Sequence, residues 1–189
     1  MKHLEIEMKT LLTEEEYQKL KDHFSEVKPV TQRNYYLDTP DFYLRQHKIA
    51  MRIRTFATSA ELTIKIPQEV GNMEYNQALT LDEANACLEE CKLPQGMILD
   101  ELSNRGVSTS GWIVLGYLTT LRYEKETAIG LMALDQSSYF DVIDYELELE
   151  VEDGEQGSRD FQEFLKENGI QFKKASSKLV RFIKNMKKY

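Results

Sequence analysis

The residues able to do chemistry stand at every second position. In "LEIEMK" (4–9), Glu5, Glu7 and Lys9 alternate with Leu4, Ile6 and Met8. In "YELELEVE" (145–152), Glu146, Glu148, Glu150 and Glu152 alternate with Leu147, Leu149 and Val151. "KIAMRIRTF" (48–56) sets Arg52 and Arg54 against Met51 and Ile53, and "ELTIKI" (61–66) sets Glu61, Thr63 and Lys65 against Leu62, Ile64 and Ile66. Alternation at period two marks a strand with one apolar face. Taken singly, each polar face fits an antiparallel strand half-exposed to water. Taken together they fit less well, because a solvated sheet mixes both signs with Thr, Ser and Gln. Here some strands carry acid and others carry base. A row of glutamates repels itself unless something lowers that cost. Clustered carboxylate oxygens suit a hard divalent cation, Mg2+ or Mn2+. Guanidinium and ammonium groups suit phosphates. A polyphosphate bound with its metal satisfies both sets at once.

The elements must bring those faces together. The arrangement that does so turns the charged faces into a barrel and the apolar faces outward, under helices. Thr13 followed by Glu16 is a capping-box signature. It starts a helix over 13–24 with Tyr17, Leu20 and Phe24 on one face, so residues 3–11 before it form a strand. "TQRNYYLDTPDF" (31–42) predicts a strand ended by a turn at Thr39–Pro40–Asp41. A further strand is expected at 73–80, then a helix over 81–92 with Ala84, Leu88 and Cys91 on one stripe, then a short helix near 96–103. Strands resume at 111–124, 127–135 and 139–152, and the tail reads as helices at 159–168 and 176–187, with "NMKKY" as a solvated charge run. Strands joined mostly by short turns, with a few helices, predict an α+β arrangement around an antiparallel sheet, with enough strands to close a barrel. The helices at 13–24, 81–92 and 159–168 would cover its outside. No repeat or linker divides the chain, so a single domain over 1–189 is expected.

Bulk properties narrow the function classes. Charged residues make up 30% of the chain and hydrophobic ones 41%, the balance of a soluble globular protein. A formal net charge of −8 argues against nucleic-acid polymers and anionic membranes as partners. The most apolar run, "GWIVLGYL" (111–118), is too short to span a bilayer, and the N-terminal residues show no apolar signal core. With only Cys87 and Cys91, a disulfide framework is excluded and the cytoplasm is the natural compartment. Their i, i+4 spacing could ligate a metal, but small hydrophobes buried on a helix face is the plainer reading. There is no GxxxxGK[ST] loop for a P-loop nucleotide site. His3, His23 and His47 are scattered, His3 reading as an end-of-strand residue, and Ser137–Ser138 lacks a nucleophile-elbow context.

The triplet Glu5, Glu7, Lys9 resembles the "ExExK" signature of the CYTH superfamily, the triphosphate tunnel metalloenzymes. The remaining parts follow in the family's order over nearly the whole chain. "QRNYYLDTPDFYL" resembles its strand-and-turn segment, "MRIR" its paired-arginine strand (Arg52, Arg54) and "LTIK" its strand lysine (Lys65). "TLRYE" matches with Arg122, "MALD" with Asp135, "YELELE" with the late acidic strand, and "SSKLVRF" with the C-terminal helix whose lysine, here Lys178, caps the tunnel. The resemblance implies an eight-stranded antiparallel tunnel that binds a triphosphate along its axis. Glu5, Glu7, Glu148 and Glu150 would hold one or two Mg2+ or Mn2+ ions, with Asp135 as a further ligand and Glu146 in reserve. Lys9, Arg52, Arg54, Lys65 and Arg122 would grip the phosphates. Lys178 and Arg181, which share a helix face apart from the stripe of Leu179, Phe182, Ile183 and Met186, would add to them from the helix. Of these, Lys9, Lys178, Arg52 and Arg54 are the expected catalytic groups. The implied activity is hydrolysis of tripolyphosphate or of a nucleoside or thiamine triphosphate. A class IV-type adenylyl cyclase and a non-catalytic polyphosphate- or nucleotide-binding module are the alternatives, and monomer and homodimer are both open.

Overall fold

The computed structural model describes residues 1–108 and 110–186. Among these, the strands are β1 (Lys2–Leu12), β2 (Val30–Asp38), β3 (Ala50–Thr55), β4 (Ala60–Pro67), β5 (Asn72–Leu79), β6 (Ile113–Thr127), β7 (Gly130–Tyr139) and β8 (Val142–Val151). The helices are α1 (Glu14–Leu20), continued by a 3-10 turn over Lys21–Phe24, α2 (Tyr43–Gln46), α3 (Leu81–Glu90), α4 (Met97–Asn104), α5 (Gly154–Glu167) and α6 (Lys178–Met186). The strands form a closed antiparallel barrel in the order β1-β5-β4-β3-β2-β6-β7-β8. The chain falls into two compact units, one of Met1–Leu4 with Gln32–Leu118, the other of Glu5–Thr31 with Thr119 onward.

In the first unit, Met51, Ile53, Leu62, Ile64 and Ile66 form one apolar sheet face. Ala84 and Cys87 of α3, Ile98 and Leu102 of α4, Leu44 of α2 and Trp112 pack on it. In the second unit, Met132, Leu134, Leu147 and Leu149 receive Tyr17, Leu20 and Phe24 from α1 and its 3-10 turn, and Phe161 and Leu165 from α5. In both units these helices pack on the apolar face, which leaves the charged face to the inside of the closed barrel. Thr13 and Glu16 do form the reciprocal cap of α1, and Thr80 with Glu83 forms a second such box at α3. Cys87 is buried in the first core and Cys91 is half-buried, both as free thiols.

The largest departures from expectation each have a local reason. The β6–β7 turn lies three residues later than the 124–127 break expected from sequence, so β6 runs to Thr127 and β7 starts at Gly130. Gly130 has φ +137°, and a Cβ there would meet the Glu150 carbonyl at 2.3 Å, so glycine sets that turn. Helix α5 begins at Gly154 instead of 159, because Asp153 caps it by accepting from the N–H of Glu155 and Gln156 at 2.9 Å each. The unexpected α2 is held by Asp38, which accepts from the N–H of Leu44 and Arg45 at 3.0 and 3.2 Å. The last residue of the expected 176–187 helix, and the end of the "NMKKY" run, lie outside the described residues.

Leu147 is fully buried at the centre of the second core. Leu147→Ala is expected to lower unfolding free energy by about 2–5 kcal/mol, measured by urea titration, with the far-UV spectrum retained.

Candidate functional site

The register of the second unit assembles an acidic wall. Across β1 and β8, Glu7 lies opposite Glu150, Lys9 opposite Glu148 and Leu11 opposite Glu146. Across β7 and β8, Asp135 lies opposite Glu146, and across β6 and β7, Arg122 lies opposite Asp135. All project from the face opposite the apolar row, because each sits one residue out of phase with it. The carboxylate oxygens of Asp135, Glu146 and Glu148 come within 4.8 Å of one another. Glu5 is buried, Glu7 is held by the Lys9 ammonium, and Glu150 is partly exposed.

Cations from two elements neutralise this wall. Arg122 donates Nε and Nη2 to the two oxygens of Asp135 at 2.8 and 2.6 Å, and Nη2 also reaches Glu148. The Lys178 ammonium lies 2.7 Å from Asp135 and 2.9 Å from Glu148 and contacts Glu146 as well. Lys9 stands 3.9 Å from Glu148. Arg181 donates to Asp144 and Glu146, both at 2.8 Å. Burial opposes ionisation of Glu148, yet Lys178, Arg122 and Lys9 outweigh it and hold its carboxyl well below the usual range. Asp135 is likewise held low by Arg122 and Lys178 against the same burial. Glu146 goes the other way: burial, joined by the Glu148 and Asp135 charges, pushes it up despite Lys178 and Arg181. Burial works against the Lys178 ammonium, but the three carboxylates around it raise its pKa and keep it charged.

The first unit carries a basic wall on the helix-free face of β2–β5. Arg54 donates Nε to Asn34 at 2.9 Å and Nη1 to Glu61 at 3.2 Å. Lys65 pairs with Glu74 at 2.8 Å. Asn76 donates to Glu74 and accepts from Thr63, both at 2.7 Å. The Nε of Arg52 is buried with no hydrogen-bond partner. Burial resists ionisation of Glu74, but Lys65 and Arg52 bring it down to about 2.

Sequence therefore located most of the charged wall, and the fold adds Glu74, Asp144 and Glu124, the last accepting from Arg122 at 3.2 Å. Asp144 and Glu124 were readable, each two residues from a residue already chosen. Glu74 lies in a strand whose alternation is weak. Three carboxylates from two strands form an all-oxygen donor set, which fits a hard divalent cation.

The strands thus close into an antiparallel barrel whose charged faces carry clustered, cation-paired carboxylates in one unit and Arg52, Arg54 and Lys65 in the other. The CYTH domain profile matches residues 3–183, and the chain belongs to that family. It is 34% identical over 187 residues to YjbK of Bacillus subtilis (strain 168), a candidate triphosphatase, across 98% of this chain and 97% of that protein. It is 35% identical to a candidate adenylate cyclase of Bacillus halodurans, whose crystal structure superposes with a TM-score of 0.90 over 96% of this chain and 98% of that one. HpAC1 of Hippeastrum, a candidate adenylyl cyclase described as having a dominant triphosphatase activity, shares the fold at 24% identity and a TM-score of 0.85, over 96% of each chain. No helix among the described residues is long and apolar enough to cross a membrane.

A carboxyl held lower in the folded than in the unfolded state adds stability above its ordinary pKa and loses it as pH falls through the folded value. For Glu74 that window runs from about 4.5 down to about 2. The melting temperature is expected to fall more steeply across this range in the wild type than in Glu74→Gln, as read by thermal melts at successive pH values.

Proposed function

We propose that this protein is a divalent-metal-dependent triphosphatase that hydrolyses a phosphoanhydride bond of tripolyphosphate or of an organic triphosphate. The convergence of Asp135, Glu146 and Glu148 carries the reading, since an anion binder has no need of clustered carboxylates. The similarity to a candidate triphosphatase at 34% identity supports it. Asp135, Glu146 and Glu148, with Glu5, Glu7 and Glu150, are assigned to Mg2+ or Mn2+. The bound cation supplies charge neutralisation and Lewis acidity.

The chain's own cations do the rest. Phosphoanhydride cleavage requires that phosphate charge be neutralised and the chain held in line with its nucleophile. Arg52, with a buried donor unpaired, and Arg54 and Lys65 are assigned to phosphate oxygens. Lys9, Arg122 and Lys178, which pair with the carboxylates, are also assigned to phosphate oxygens. Lys178 is raised and remains protonated, so it offers hydrogen bonds rather than acting as a base. Two free thiols suit a reducing cytoplasm.

The 35% identity to a candidate adenylate cyclase favours cyclisation of ATP as the second reading. Purified protein given tripolyphosphate, thiamine triphosphate or ATP with Mg2+ or Mn2+ separates the two. Phosphate release without cyclic AMP supports hydrolysis, cyclic AMP formation supports the cyclase, and tight binding without turnover supports a binding module. Glu7→Gln is expected to abolish nearly all metal-dependent phosphate release. Arg52→Ala is expected to lower kcat/KM by about 10²-fold or more, the scale for losing a positioned electrostatic donor.

A further inference from the structure

Arg181 was expected to bind phosphate, but each of its three guanidinium nitrogens already donates a hydrogen bond within the fold. Nε goes to Asp144 and Nη2 to Glu146, both at 2.8 Å, and Nη1 goes to the Ser176 carbonyl. The residue is only 8% exposed. Asp144 also accepts from the Tyr139 hydroxyl through the same oxygen, Oδ2. Burial and the Asp144 carboxylate push the Tyr139 phenol up, which keeps it a donor. Tyr139 ends β7 and Asp144 lies near the start of β8, so this chain of bonds ties α6 to the β7–β8 hairpin. Packing repeats the tie: Phe182 stacks on Phe140 with ring centroids 5.0 Å apart and lies 6.1 Å from Tyr139. Lys178, Arg181 and Phe182 stand at i, i+3 and i+4, so Phe182, expected on the separate apolar stripe, borders the Lys178–Arg181 face of α6. Whatever fixes Arg181 and Phe182 therefore fixes where Lys178 stands.

We propose that Tyr139, Asp144 and Arg181 form a latch that seats α6 on the β7–β8 hairpin and so places the Lys178 ammonium among Asp135, Glu146 and Glu148. Arg181 is a positioning residue rather than a phosphate ligand. Asp144, whose acidity serves no metal in this arrangement, is its counterpart on the strand. The activity readout rests on the triphosphatase reading; the structural readout does not.

The test combines tripolyphosphate hydrolysis with backbone amide exchange over residues 178–186, in wild type, Asp144→Asn, Tyr139→Phe, Lys178→Met and the Asp144→Asn/Lys178→Met double variant. Amides of α6 are expected to exchange about tenfold faster or more in Asp144→Asn, because a local tie has been removed. Asp144→Asn is expected to lower kcat by about 10-fold or more, as misplacement of a catalytic group does. In the Lys178→Met background the same substitution should change turnover little, since residues acting through one group are not additive. Tyr139→Phe, which removes a single hydroxyl, should shift exchange and turnover in the same direction by less and keeps the test decisive if Asp144→Asn folds poorly. Full additivity of Asp144→Asn with Lys178→Met, or unchanged α6 exchange in both latch variants, overturns the latch. Wild-type protein that releases no phosphate overturns the triphosphatase reading instead, and the exchange measurement still decides the latch.

Discussion

The constraint on which the second unit turns is the convergence of three carboxylates in a largely buried place. Asp135, Glu146 and Glu148 cannot all stay ionised there unless cations share the space. Lys178 and Arg122 are those cations, and the low pKa of Glu148 and Asp135 is the consequence. Glu146 shows the limit of that compensation, since burial and two neighbouring charges still push it up. The arrangement is a set of hard oxygen ligands kept folded by exchangeable positive groups. Such a set of clustered carboxylate oxygens has the chemistry that suits a hard divalent cation.

The same constraint explains the inverted architecture. A sheet that turns its charged face inward must find an apolar partner outside, and the helices provide it. Tyr17, Leu20 and Phe24, with Phe161 and Leu165, do so in the second unit, and Ala84, Cys87, Ile98 and Leu102 do so in the first. Strands β1, β3, β4, β7 and β8 thus work twice, alternate positions building a core on one face and a charged wall on the other. A one-residue slip in register would exchange the two faces and lose both.

The basic wall of the first unit follows a related logic with the signs reversed. Arg54 and Lys65 are steadied by Asn34, Glu61 and Glu74, and Glu74 is steadied in turn by Asn76. Long side chains held this way are pre-organised, so less of their freedom remains to be lost in any further contact. Arg52 keeps a buried donor unpaired, which costs free energy in the folded protein.

Period-two alternation by itself determined which strands carry charge and on which face. It placed Glu5, Glu7, Lys9, Arg52, Arg54, Lys65, Glu146, Glu148 and Glu150, and the capping box at Thr13 located the end of β1. Those features depend on neighbours close in sequence, so they are legible there. Only the tertiary structure decided which carboxylates converge. It brought Asp135 to Glu146 and Glu148 through a strand register, and gave Lys178 rather than Arg181 the place among them. It also assigned Arg181 to Asp144 and Tyr139, and Lys65 to Glu74. The physical reason is that a pairing between charges depends on register and on the path of the chain between them, and neither is written into the alternation that makes the strands.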